Sequence, residues 1–144
     1  MIGMRKYNNF YERRRILQSM YDGSIKIKET IRCTCAPLHE SFLWGGDFFE
    51  LASRKIGDGL LPEEAVNESA WEFCSLTAED RSIIFRFAHG LSAADCKGQL
   101  SNLELFTTEL EKALQVATND LNTRGKLCVK GSILTAAAVV LLLI

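Results

Sequence analysis

The chain has 144 residues, 17 Lys and Arg against 18 Asp and Glu, a formal net charge of -1 and 47% hydrophobic residues. That length makes one ordinary domain with a real core, and a charge so close to zero excludes a strongly basic nucleic-acid binder and an acidic disordered tail. Two prolines and few turn clusters argue against collagenous, low-complexity and all-β chains.

Helical spacing dominates from the start. Leu17, Met20, Ser24, Ile27 and Ile31 recur at steps of three and four, with Ile16 alongside, which predicts a helix over residues 8–33. Gly23 falls inside it and costs about 1 kcal/mol relative to Ala, so a local kink is expected there. Pro37 ends the helix, because the residue before a proline is pushed out of the α region. A short helix over residues 37–44 follows and is broken by Gly45 and Gly46. Asp47 caps a helix carrying Phe48, Leu51, Ala52 and Ile56, closed by Gly57-Asp58-Gly59.

Pro62 with Glu63 and Glu64 marks the next helix start, and Val66, Ala70 and Phe73 form its apolar stripe, with Trp71 nearby. Thr77 and Asp80 have capping-box spacing, with Asp where Glu is usual. The helix behind them buries Ile83, Ile84, Phe87 and Ala88 and stops at Gly90. Ser92 caps the last helix. Its Leu100, Leu103, Thr107, Leu110, Leu114, Ala117 and Leu121 alternate by three and four, about three heptads with one polar position. This helix is expected to run on, bent near Gly125, into an apolar end. No stretch alternates as a strand, so the prediction is an all-α bundle of about six helices, the first and last longest.

Charge and hydropathy are both segregated along the chain. Residues 1–32 hold eight basic and three acidic side chains, residues 33–120 hold six and fifteen, and residues 121–144 hold three and none. An acidic body therefore lies between two basic ends. Beyond Arg124, Lys126 and Lys130, residues 133–144 contain one polar side chain, Thr135. A spanning helix needs about 20 apolar residues. From Gly131 there are 14, about 21 Å of helix at 1.5 Å per residue. Counting from Leu127 gives 18, with Lys130 inside and able to snorkel to the headgroups. With no polar face left for water, the segment reads as a membrane helix rather than a buried core helix. The cations before it place the domain on the cytoplasmic side. The opening residues lack the apolar core of a signal peptide.

Catalytic patterns are sparse. Cys33 and Cys35 with His39 make a Cys-x-Cys-x3-His cluster, but no second ligand pair follows at zinc spacing, so neither metal nor cofactor is expected. Five cysteines spread along helices fit a reducing cytoplasm, each acting as a small hydrophobe. His89 could be the nucleophile of a phosphotransfer bundle, although a histidine at a helix end more ordinarily complements the dipole. Glu63, Glu64, Glu68 and Glu72 read as a solvated outer face without a cationic partner. With no phosphate loop and no triad spacing, the chain does not read as an enzyme. Arg13, Arg14 and Arg15 suit anionic lipid better than nucleic acid, since the other basic cluster flanks a membrane segment.

Three stretches taken together carry a family resemblance. One is the long first helix ending at Ala36-Pro37-Leu38-His-Glu-Ser-Phe42. Another is Asp80-Arg-Ser-Ile-Ile-Phe-Arg-Phe-Ala-His-Gly-Leu-Ser-Ala-Ala-Asp95. The third is Cys96-Lys-Gly-Gln99-Leu-Ser-Asn-Leu-Glu-Leu-Phe106, running on to the apolar end. In order and spacing they resemble the stage III sporulation protein AB family of endospore-forming bacteria, over roughly residues 12–144. The turn from Gly90 to Asp95 with Gln99 behind it is the most specific part.

The resemblance implies an integral membrane protein of the mother-cell membrane around the forespore. Its cytoplasmic helical domain would be similar to the inner-membrane platform proteins of type II secretion. In that setting it serves a secretion-like channel complex between mother cell and forespore, alongside a secretion-type ATPase and other membrane proteins. Ser92, Asp95, Lys97 and Gln99 are then candidate partner-binding residues, the alternative being that Asp95 and Ser92 merely cap the last helix. Arg13, Arg14, Arg15, Arg124, Lys126 and Lys130 are candidate membrane-flanking residues. The family usually opens with a transmembrane helix, whereas residues 1–11 here are polar and Arg13 to Arg15 stand where that helix's cytoplasmic flank would be. The expected division is a polar segment over 1–11, a cytoplasmic helical bundle over 12–124, and a basic flank with a transmembrane segment over 125–144. Two other functions remain open at this point, a histidine phosphotransfer domain and a generic tail-anchored helical adaptor.

Overall fold

The computed structural model describes residues 2–92 and 95–144, without the side chains at 2–4, 38, 39, 92, 125, 126, 128, 129 and 132. Among the described residues there are six α-helices and no strand: α1 (Ile2–Thr34), α2 (Asp47–Gly57), α3 (Pro62–Glu72), α4 (Ala78–His89), α5 (Cys96–Asp120) and α6 (Lys126–Leu143). Short 3-10 turns at Leu38–Trp44 and Gly90–Ser92 lead into α2 and α5. A π-helical turn at Leu121–Gly125 carries α5 into α6, so the path continues through the expected bend with one wider turn.

The α1–α5 pair organises the bundle. Ser24 of α1 meets Thr107 of α5, Arg14 meets Thr118 and Arg13 meets Asp120, so the two helices run antiparallel along most of their length. The stripes read from spacing face each other, with Leu17, Met20, Ile27 and Ile31 buried against Leu103, Leu110 and Ala117. The polar members of the two stripes also find each other, because Thr107 Oγ1 lies 3.0 Å from Ser24 Oγ, which itself donates to the Tyr21 carbonyl. A hydroxyl pair satisfied this way avoids the cost of about 1–3 kcal/mol for an unpaired buried polar group.

The remaining helices close over one flank of that pair, α2 against α3, α3 against α4, and α4 back against α5. Five phenylalanines fill the space between. Phe87 stacks on Phe106 at 4.2 Å between centroids, and Phe49 meets both edge-on. Phe42 and Phe48 pack against Phe49. Such aromatic pairs contribute about 0.5–1.5 kcal/mol each beyond their buried area.

Three local expectations change. α1 starts at Ile2, because the π turn and α6 lie along its first turns and give residues 2–11 a surface to pack on. It also runs without interruption through Gly23, where a Cβ would collide with the backbone carbonyl of Gly45. The glycine serves a close approach, not a kink. α2 is capped by Gly46, with φ of 88°, and Asp47 is its first helical residue, placing a negative charge at the positive end of the helix dipole. The capping box at Thr77 forms as its spacing predicts, with Thr77 Oγ1 accepting from the Asp80 amide at 3.2 Å and Asp80 Oδ2 accepting from the Thr77 amide at 3.0 Å.

Past the start of α1 the last helix has no neighbour among the described residues to cover it, and residues 133–144 are exposed. Among the described residues no helix is long and apolar enough to cross a membrane. The expected C-terminal membrane helix is, in the structure, an exposed apolar helix.

Candidate functional site

Arg13 sits four residues before Leu17, on the same face of α1 as the apolar stripe, and only 6% of it is exposed. A buried guanidinium requires partners, since an unpaired charge in an apolar interior is strongly destabilising. Two helices supply them. Asp80, in the first turn of α4, accepts from Arg13 Nε at 2.7 Å through Oδ2 and from Nη2 at 3.0 Å through Oδ1. Asp120, at the end of α5, accepts from Nη1 at 3.2 Å. The two-pronged contact with Asp80 is the geometry in which arginine binds a carboxylate most specifically. Hydrogen bonding to Asp80 raises Arg13 above its ordinary pKa against the opposing effect of burial, with the Asp80 and Asp120 charges adding to the rise. Asp80 thus caps α4 and holds α1 with the same carboxylate, and one side chain of α1 ties α4 and α5 together.

A cleft of about 270 Å³ opens beside this cluster, lined by Arg13 and Asp80 together with Glu79, Ile83, Arg86, Glu109, Lys112, Ala113 and Val116. Arg86 and Glu109 pair across its rim. Among the described residues the ion pairs here join cation to carboxylate across helices, an arrangement that fixes helices in register.

The three consecutive arginines therefore part company. Arg13 is inside the bundle, Arg14 donates to Thr118 Oγ1 at 3.3 Å, and Arg15 is exposed beside Glu12, with Asp47 at 4.0 Å. Arg124 is exposed and lies 3.8 Å from Asp120. Lys130 is exposed, and the Lys126 side chain lies outside the described residues. Around the base of α6 the two basic ends of the chain converge. Arg5, Lys6 and Arg124 line a groove of about 670 Å³ with Asn9, Phe10 and Leu127.

The candidate partner-binding residues fall at the far end of the α1–α5 pair. Asp95, not Ser92, is the N-cap of α5, and its side chain makes no capping hydrogen bond. Its carbonyl accepts from the Gln99 amide at 3.1 Å. Asp95 and Lys97 are exposed and Gln99 is half-buried. Ser92 belongs to the preceding 3-10 turn, and its side chain lies outside the described residues. His89 is 88% exposed at the end of α4, with Nδ1 3.7 Å from Glu63. The acidic face of α3 does have a cation, because Lys55 of α2 reaches Glu72 at 3.1 Å and Glu68 at 3.6 Å. Spacing along α3 could not show that partner, since it comes from another helix.

Two further side-chain clusters were not read from sequence. The first is the Arg13–Asp80–Asp120 cluster, although its signal was present in Arg13 continuing the steps of Leu17, Met20, Ser24, Ile27 and Ile31. The second is the meeting of Cys35 with Cys96, for which local spacing carries no signal.

The fold and its surfaces define a small helical-bundle domain, locked by a buried arginine, with cations and an uncovered apolar helix at one end. The family model for stage III sporulation protein AB (spore_III_AB) matches residues 1–144, the whole chain, and the chain belongs to that family. Its role accordingly falls in stage III of sporulation. Comparison with curated proteins and with solved structures gave no match.

Proposed function

We propose that the chain is a non-enzymatic platform component of a secretion-like channel complex between mother cell and forespore. Residues 131–144 hold it in the mother-cell membrane around the forespore, and the bulk of the chain faces the cytoplasm. The observation that carries this reading is the asymmetry of the bundle's ends. At one end an apolar helix runs uncovered past its neighbour, with Arg5, Lys6 and Arg124 around its base. Lipid tails would cover what no protein surface covers, and each basic side chain near an anionic headgroup layer adds about 1 kcal/mol. Lys130, immediately before that segment, can snorkel to the headgroups.

The opposite end carries Asp95, Lys97 and Gln99, about 36 Å away along α5 at 1.5 Å per residue. That separation leaves those residues clear of the headgroups and able to receive a secretion-type ATPase or another member of the complex. Nucleic acid is not a partner in this reading.

Complementation in sporulating cells tests it. With protein levels matched, deletion of residues 131–144 and the double change Asp95→Lys with Lys97→Glu should each collapse the count of heat-resistant spores, while His89→Gln leaves it unchanged. Loss of sporulation with His89→Gln alone would establish phosphotransfer instead. Loss on deletion with normal counts for the double change would reduce the chain to a generic tail-anchored adaptor, and normal counts for both would contradict the membrane platform.

A further inference from the structure

Two thiols distant in sequence meet where α1 ends and α5 begins. Cys35 Sγ lies 2.7 Å from Cys96 Sγ, although 61 positions separate them in the chain. The end of α1 directs the contact. Cys35 follows the last helical residue with φ of 49°, in the left-handed region that Gly or Asn normally fills at a helix end. Its amide donates to the Ile31 carbonyl at 2.7 Å, and Cys96 Sγ stands 4.0 Å from the same oxygen. A glycine would occupy that backbone conformation without strain. A cysteine there instead brings a sulfur against the first residue of α5, and strain held at one position is a reason to look for a role.

We propose that Cys35 and Cys96 form an oxidation site, closing to an intramolecular disulfide on reaction with a low-molecular-weight disulfide, RSSR. This inference goes beyond the platform reading and does not depend on it. Cys35 is exposed and Cys96 is half-buried, so Cys35 meets the oxidant first. Its thiol gives a proton to solvent, and the thiolate attacks one sulfur of RSSR. A Cys35–S–SR bond forms as RS⁻ departs and takes up a proton.

Cys96 then loses its proton to solvent and attacks the Cys35 sulfur. The protein disulfide forms as the bond to SR breaks and the second RS⁻ leaves to be protonated. Two cysteine sulfurs are oxidised, and one RSSR is reduced to two RSH. Hydrogen bonding to Cys35, then burial, then the charges of Cys35 and Asp95 push the Cys96 thiol up, which keeps it protonated while Cys35 meets the oxidant. In a reducing compartment such a bond is transient and responds to the thiol pool. When formed it fastens the end of α1 to the start of α5, beside Asp95, Lys97 and Gln99.

The full-length chain, purified reduced in detergent, is equilibrated with oxidised glutathione; remaining thiols are then alkylated and peptides mapped by mass spectrometry. Two of its five thiols should be lost within single chains, as one bridge joining Cys35 to Cys96, with the unfolding midpoint raised by about 5–10 °C. Cys35→Ser and Cys96→Ser should each abolish both the bridge and the shift while keeping the helical circular dichroism of the parent, and Cys33→Ser should keep both. The proposal is overturned by five alkylated thiols at equilibrium, by bridges between separate chains, or by a bridge to a different cysteine. A bridge that leaves the midpoint unmoved would refute the claim that it fastens the bundle.

Discussion

α5 and α6 lie on one helical path, and their surroundings are opposite. α5 carries six charged side chains, yet it buries Leu103, Phe106, Leu110, Ala113 and Ala117 against α1 and α4. α6 beyond Gly131 carries none, and its residues from 133 onward are exposed. Hydrophobic content therefore does not decide burial within this chain; the presence of a complementary surface does. The α5 stripe has a matching stripe on α1, down to the Ser24–Thr107 pair. The end of α6 is apolar all round and, among the described residues, no surface covers it.

The sharpest way to break the contrast is to truncate a large side chain in each helix. Phe106→Ala should cost about 4 kcal/mol of folding stability, through lost transfer energy and the cavity left beside Phe87 and Phe49. Leu141→Ala in detergent should change stability by less than about 0.5 kcal/mol, as exposed substitutions do. Equal losses in chemical denaturation would show that α6 packs on the bundle after all.

The charged lock comes next. Asp80→Ala removes the carboxylate half of the α4 capping box and the main partner of buried Arg13 while leaving Thr77 as the cap and Asp120 as a partner, so a loss of about 3 kcal/mol is expected in the same assay, at the low end for a broken buried pair. Gly23→Ala then tests close packing against propensity. In an open helix Ala would stabilise by about 1 kcal/mol; against the Gly45 carbonyl it should destabilise by about 2 kcal/mol. The smallest effect belongs to Thr107→Val, about 1 kcal/mol, because Ser24 keeps its bond to the Tyr21 carbonyl.

Much of the fold was legible, for local reasons. The stripes of α1 and α5, the proline start of α3 and the capping box at Thr77 each depend on residues within about one or two turns of one another. Features made between helices were not legible. Gly23 reads as a weak helix residue until Gly45 is brought against it, and Lys55 reads as surface charge until α3 places Glu68 and Glu72 beside it. Phe49 and Phe106 fell off the stripes read from spacing and emerge as central because several helices converge on them. Cys35 reads as a small hydrophobe in a helix, although it is exposed just past the end of α1. At the candidate docking end the sequence offered both Ser92 and Asp95 as caps, since several capping residues in succession compete for one helix start, and Asp95 holds the position; Gln99, expected to be exposed, is half-buried.

The central claim, that the uncovered end of α6 holds the domain in a membrane, is tested most directly by fractionation. Membranes from sporulating cells expressing either the full chain or a chain lacking residues 131–144 are washed with alkaline carbonate, and both fractions are probed for the protein. The account predicts that the full chain stays with the washed membranes and the shortened chain moves to the supernatant, still folded. A shortened chain that stays with the membranes, or a full chain that washes off, would contradict it.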